Sequence, residues 1–393
     1  MYVNAHIQVI INGATLTSVV SVDMHNDGNH IGASCDLVVP LNARIKQYDE
    51  SQAIVPSRVH FNTGDHIVIN AKYDGYEKFG DTGEWARIFE GFLYDFSEST
   101  PIKIKCIDYI YWFNLGIYGA NYVYTKKSVG HPAKGGTGKG FDKIEFADLL
   151  QDLIDWTNES IQGANDENGT SIPKITLIKP EFSFQLVNVA FPNMSPAAVL
   201  EYLKRELGFN ISLTGNQLYA NVASFTVNSV NLSTDKNVIH SDLQSTNLTK
   251  LKNKGSNSIF LRIKLKAYFE KEDGTKDSFE LGDPNGQLRE VFFYKVAKGN
   301  QVMKDGQLVY DNYHKLANEA LNKAYQNRYT GTVETYLYPV CGLFWKVNYT
   351  DVQYPDRNGN YVITSENITI NDNGYHRHLK LAYLTDLNMI NGQ

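Results

Sequence analysis

The residues of this chain whose types and spacing could do chemistry lie in a few places. Segment 130–140, GHPAKGGTGKG, carries the glycines and lysines of a phosphate-cradling loop. Such a loop needs a glycine five residues ahead of its second one, so that backbone N–H groups face the phosphates, and a Ser or Thr after the lysine to ligate magnesium. Those positions hold Ala133 and Gly140. No apolar strand runs straight into the segment, and the helix expected after it opens on an aspartate, which repels phosphate. It reads as a mobile loop rather than a nucleotide site.

His376 and His378 flank Arg377 on an expected strand, so both imidazoles share one face and could in principle share a metal. No third ligand and no Cys-x-x-Cys or His-Glu-x-x-His accompanies them, and two exposed strand histidines is the reading that remains. Asp148, Asp152 and Asp155 fall on the polar face of an expected helix, as solvent-side charge rather than an acid/base pair. No Gly-x-Ser-x-Gly elbow occurs, and Cys35, Cys106 and Cys341 lack a recognisable partner histidine. Odd in number, far apart and set in apolar runs, they read as buried thiols of a protein made in a reducing compartment. No catalytic, cofactor-binding or metal residue is assigned, no cofactor is expected, and the chain is expected not to be an enzyme.

The elements around these residues are mostly strands. A length of 393 residues at 42% hydrophobic content suits two or three domains with real cores and excludes disordered and collagen-like classes. The formal charge is -6 with Lys and Arg scattered, so no basic stripe could neutralise a run of phosphates, which argues against specific nucleic-acid binding. No apolar run approaches the roughly 20 residues of a membrane helix, and MYVNAHIQVIING lacks the regions of a signal peptide. The expectation is a chain neither exported by such a peptide nor spanning a membrane.

Alternation through Ile7, Val9 and Ile11, through Ala33, Cys35, Leu37 and Val39, and through Ile67, Ile69 and Ala71 predicts strands with one apolar face. Further strands are expected over 88–96 and 102–107. Asn12-Gly13 supplies the positive φ of a tight hairpin, and Pro40 ends the strand before it. After the Gly/Lys loop at 126–140, Asp142 as N-cap, Glu145 as capping-box partner and a Phe141–Phe146 staple predict a helix with the stripe Phe146, Leu149, Leu150, Leu153 and Ile154. Residues 163–171, GANDENGTS, read as a polar loop. A second helix starts at Ser195-Pro196 and ends at Gly208, followed by a hairpin turning on Thr214-Gly215-Asn216. A third, capped by Asp311, is expected over 312–328, with polar turns at 272–274 and 356–359 between flanking strands. A faint echo links NTGDHIVINAKY at 62–73 with VCGLFWKVNYTDV at 340–352, each turning at a glycine into an alternating strand.

In order, these segments resemble the baseplate hub family of phage tails, which includes Mu-like and T-even-like hubs and the hub part of type VI secretion VgrG spikes. The opening IQVIINGATLTSVVSVDMHNDGNHIGASCDLVVP and the closing strand of the first unit, FEGFLYDFSESTPIKIKCID, are similar to the family's first β-domain. MSPAAVLEYLKRELGFNISLTGNQLYAN, residues 194–221, is similar to its middle helix-hairpin. LGDPNGQLREVFFYKV, YTGTVETYLYP, VQYPDRNGNYVITSENITI and GYHRHLKLAYL match in style towards the end. The resemblance implies an α+β, mainly β fold: barrel-like antiparallel domains over 1–118 and 223–393 around a middle α+β domain over 119–222. It further implies a homotrimer that joins a hexameric tail tube to a trimeric central spike, touches other baseplate proteins and surrounds the delivery channel. Its place would be the virion tail, after assembly in the host bacterial cytoplasm. A β-rich adhesin or carbohydrate-binding protein, with 25 tyrosines and four tryptophans as stacking platforms, and a tail-associated cell-wall hydrolase are the alternatives.

Overall fold

The computed structural model describes residues 5–49, 52–58, 61–73, 84–97, 99–115, 122–124, 143–178, 185–187, 189–191, 194–207, 209–221, 227–245, 263–270, 276–293, 302–304, 307–309, 317–318, 320–321, 329–372 and 374–384. The Gly/Lys loop 126–140, Phe141, Asp142, Asp311, the turn at 272–274 and most of the expected helix at 312–328 lie outside the described residues.

The first half of the chain is built from β1 (Ala5–Ile11), β2 (Ala14–Leu16), β3 (Ser21–Asp27), β4 (Ser34–Val39), β5 (Arg44–Asp49), β6 (Gln52–Arg58), β7 (His66–Tyr73), β8 (Ala86–Ser97) and β9 (Ile102–Ile107). The period-2 pattern puts Val9, Ile11, Cys35, Leu37, Val39, Ile67, Ile69 and Ala71 in one core. Asn12 at φ 48° and Gly13 at φ 83° turn β1 into β2, with Ile11 opposite Ala14. The short helix α1 (Ile110–Leu115), unmarked in the sequence, follows β9. It is started by the Asp108 carboxylate, which accepts the Ile110 N–H at 3.0 Å.

The middle of the chain holds β10 (Tyr122–Tyr124), β11 (Lys143–Glu145), α2 (Phe146–Asn168), β12 (Thr176–Ile178), β13 (Gln185–Val187), β14 (Val189–Phe191), α3 (Pro196–Leu207), β15 (Asn210–Thr214) and β16 (Gln217–Asn221). The expected stripe of α2 is buried at Phe146, Leu149, Leu150, Leu153 and Ile154, each worth ~2 kcal/mol of burial. Its start differs from the expected Asp142 cap. Residues 143–145 pair with β13, so their N–H groups serve a ladder, and the helix opens at Phe146 with Glu145 as an N-cap that makes no side-chain cap bond. Its end differs too, for residues 163–168 are helical rather than a loop, and Gly169 in the left-handed region closes the helix. The Asn165 side chain, which accepts the Ile172 N–H at 2.9 Å and donates to the Ile172 carbonyl at 3.0 Å, ties that last turn down. For α3 and its hairpin expectation and structure agree: Ser195 Oγ accepts the Ala198 N–H at 3.1 Å, Pro196 opens the helix, and β15 returns through Gly215 to β16.

The last part contains β17 (Ser229–Ser233), β18 (Val238–Ser245), β19 (Ile263–Glu270), β20 (Lys276–Gly282), β21 (Gln287–Phe293), β22 (Val302–Lys304), β23 (Gln307–Val309), β24 (Tyr329–Thr335), β25 (Lys346–Thr350), β26 (Gly359–Asn371) and β27 (Gly374–Tyr383). β20, β19 and β21 form a separate sheet whose Ile263, Leu265, Ala267 and Phe269 join the core of α2 and α3. The remaining main strands form one 15-stranded sheet, largely antiparallel. The mainly-β expectation therefore stands. Among the described residues, however, the strands close no barrel.

Within the large sheet one arrangement occurs twice. The order β3-β4-β9-β8-β7-β1 in the first half is matched by β18-β24-β27-β26-β25-β17 in the second. The turn into β7 bonds Asp65 N to the Asn62 carbonyl at 3.1 Å and Gly64 N to the Leu93 carbonyl at 2.8 Å, while Leu93 N returns to the Asp65 carbonyl at 2.9 Å. The turn into β25 repeats this: Trp345 N to Gly342 at 3.2 Å, Phe344 N to Ile363 at 2.9 Å, and Ile363 N to Trp345 at 3.1 Å. Next to these turns β8 shifts register against β9 between Leu93 and Asp95, and β26 shifts against β27 between Ile363 and Ser365. Equivalent positions follow: Gly64 with Phe344, Tyr94 with Thr364, Met24 with Leu243. The echo at 62 and 340 is thus a structural one, although its glycines are not equivalent: Gly64 at φ 94° corresponds to Phe344 at φ 60°. The copies differ at their last pair, since β1 runs antiparallel to β7 and β17 parallel to β25.

Candidate assembly joint between two β-units

The two copies are joined where β26 forks. Before its bulge, residues 359–362 pair with β25; after it, residues 365–370 pair with β3, Ile368 opposite Met24 and Ile370 opposite Val22. The bulge is what redirects the strand, since one extra residue bends it and releases one partner for another. At the fork the Gly28 N–H donates to the Thr364 carbonyl at 2.8 Å. A Cβ on Gly28 would lie 2.9 Å from that oxygen and 3.3 Å from the Phe344 ring, so only glycine allows the approach. Beyond the fork the hairpin β26–β27 places Ile368, Ile370 and Tyr375 in the first unit's core, together with Leu337 and Tyr338.

A buried ion pair locks the joint. Arg377, 2% exposed, donates from Nε to Glu366 Oε1 at 2.8 Å and from an Nη to the same oxygen at 2.6 Å. Its other donors reach the carbonyls of Leu337 at 3.2 Å, Pro339 at 3.3 Å and Cys341. The planar fork of a guanidinium thus satisfies a loop whose carbonyls would otherwise be buried unpaired. Burial pushes the neighbouring Cys341 thiol up to about 11, against the lowering pull of Arg377. Sequence reasoning singled out the two histidines beside this arginine and missed the arginine itself. His376 and His378 do share the opposite face: His376 Nδ1 lies 2.9 Å from Glu334 Oε1, and His378 is exposed. Among the described residues no group of three potential metal ligands gathers.

Two further polar centres lie where the first unit meets α1. The fully buried Asp108 carboxylate also accepts the Ala33 N–H at 2.7 Å, and burial lifts it to about 7 against the lowering effect of its two N–H donors. Glu90 binds His66 at 3.2 Å and the Tyr109 hydroxyl at 3.0 Å, with Arg87 beside it. The His66 hydrogen bond, aided by Arg87 and opposed by burial, holds Glu90 below the usual carboxylate range. The first centre ties a strand to the start of α1, and the second ties strands to Tyr109, the residue that leads into it. The aspartates of α2 lie where expected, Asp148 and Asp155 exposed on its outer face. Cys35 and Cys106 face each other across β4 and β9, fully buried, with burial raising both thiols, a state that leaves them inert.

No protein-family model and no curated protein sequence matches the chain. Among solved structures, the tail protein from Neisseria meningitidis MC58 matches it with a TM-score of 0.54 at 13% identity, covering 96% of both chains. The 43 kDa tail protein of prophage MuSo2 from Shewanella oneidensis matches with a TM-score of 0.51 at 12% identity, covering 96% of this chain and 98% of that one. From end to end, this chain has the fold of these two tail proteins.

Proposed function

We propose that this chain is a structural protein of a phage-type tail, the hub that joins a hexameric tube to a trimeric central spike and surrounds the delivery channel. The observation that carries the reading is the doubled strand order, in a chain whose fold is that of two tail proteins. A threefold assembly that offers two like units per chain presents six like faces to a sixfold tube, and closed rings of this kind avoid open-ended polymerisation. The divisions 1–118, 119–222 and 223–393 serve this role as two β-units around an α+β middle. The buried ion pair and the shared hairpin suit a part that holds position rather than one that turns over substrate. The hub acts without a cofactor and without specific nucleic-acid binding.

Mass photometry of the purified chain, alone and mixed with a hexameric tail tube protein, tests this. Trimers that dock on tube hexamers are the expected result. Monomers under every condition, together with absence from purified tails, overturn it.

A further inference from the structure

Among the described residues, each unit carries a counterpart of the joint inside the chain with no strand paired to it. The joint's donor side is β26 after the bulge, and its acceptor side is the outer edge of β3. By the repeat, the donor's equivalent is β8 after its own bulge, residues 95–97, and the acceptor's equivalent is the outer edge of β18. Among the described residues β18 ends the strand path, and residues 95–97 pair with β9 alone. An edge of this kind exposes a row of N–H and C=O groups that template another strand. Tyr94, the bulge residue, is 56% exposed, whereas its equivalent Thr364 has its carbonyl engaged by Gly28 inside the chain.

We infer that a second copy of this chain fills the gap: β8 of one copy adds antiparallel to the outer edge of β18 of the next, repeating between chains the joint that β26 and β3 make within one. The register carries over. Glu366 lies opposite Asn26 and Asn367 opposite His25, which places Phe96 opposite Ser245 and Ser97 opposite Gln244 in the neighbouring copy. The contact is head-to-tail, so it carries on from copy to copy instead of stopping at a dimer, and it ends where the rotation per joint closes a ring. Both edges are polar enough to stay soluble when alone: Asp95 is paired with Lys105 at 3.2 Å, and Asp242 and Gln244 are exposed on β18. The exposed Tyr94 ring supplies the apolar anchor that such a contact needs. The inference rests on the hub reading for the number of copies in the ring, not for the contact itself.

The test uses full-length chains carrying Ser97→Cys or Gln244→Cys, co-expressed with different tags and treated with a short bismaleimide. Both positions are exposed, and the three native cysteines are buried. A cross-linked dimer bearing both tags, at least tenfold more abundant than with either variant alone, is expected. Ser245→Pro, which removes an edge N–H, is expected to cut the oligomer at least tenfold while circular dichroism stays that of the parent. Oligomers by mass photometry without the mixed cross-link would place the interface elsewhere and leave the hub reading intact. Monomers throughout, in solution and in tail extracts, would overturn both.

Discussion

At the scale of single residues, two buried groups govern the energetics. Arg377 has exchanged water for Glu366 and three loop carbonyls, and a pair of this kind is costly to break because the survivor stays buried. Arg377→Met is expected to lower stability by about 3–5 kcal/mol in urea unfolding, and adding Glu366→Leu to recover only the part due to the stranded carboxylate, since the three loop carbonyls stay without their donor. Asp108 acts through pH. Its folded-state value, about 7, lies above that of an unfolded aspartate, near 4. Its contribution to stability is therefore fully present below pH 4 and is lost as pH rises through 7. Urea unfolding between pH 5 and 8 is expected to show that decline in the parent and its absence in Asp108→Asn; a decline of equal size in both would refute the assignment. Neither group was legible in the sequence, because an aspartate after a strand and an arginine between two histidines look the same whether exposed or buried. The cysteines were legible, since Cys35 and Cys106 sit at in-facing positions of clear period-2 runs.

At the scale of elements, what local chemistry specifies was readable and what distant partners specify was not. The Ser195-Pro196 start of α3, the Asn12-Gly13 turn and the buried stripe of α2 are signals contained within a few residues. The start of α2 was misread because β13, about 40 residues away in sequence, takes residues 143–145 into a ladder. Its end was misread because Asn165, a weak helix former, is anchored to Ile172 by two hydrogen bonds. The fork of β26 left no trace, since its partner strand lies more than 300 residues earlier. Its most sensitive point is Gly28. Gly28→Ala puts a methyl against the Thr364 carbonyl and the Phe344 ring, and a loss of about 1–3 kcal/mol is expected in thermal or urea unfolding. Amide exchange is expected to rise first in β3 and in residues 364–370; an unchanged exchange pattern there would contradict the role of the fork.

At the scale of the whole molecule, the two β-units are not separable along the chain. The core of the first includes Ile368, Ile370 and Tyr375, from the hairpin of the second. A fragment ending at residue 118 therefore lacks one wall of its own core, and it is expected to lose near-ultraviolet dichroism and to bind a hydrophobic dye; a natively packed fragment would show that the hairpin is dispensable. A shared wall suits a part that carries load between a tube and a spike, because neither unit can shift without breaking β26 from β3. The central claim is that the chain sits in a tail at the point where symmetry changes. The most direct measurement is its copy number and position in purified tails, by quantitative mass spectrometry and immunogold electron microscopy. Three copies per tail, confined to the end distal to the head, is the predicted result; absence from washed tails, or label spread along the tube, would contradict it.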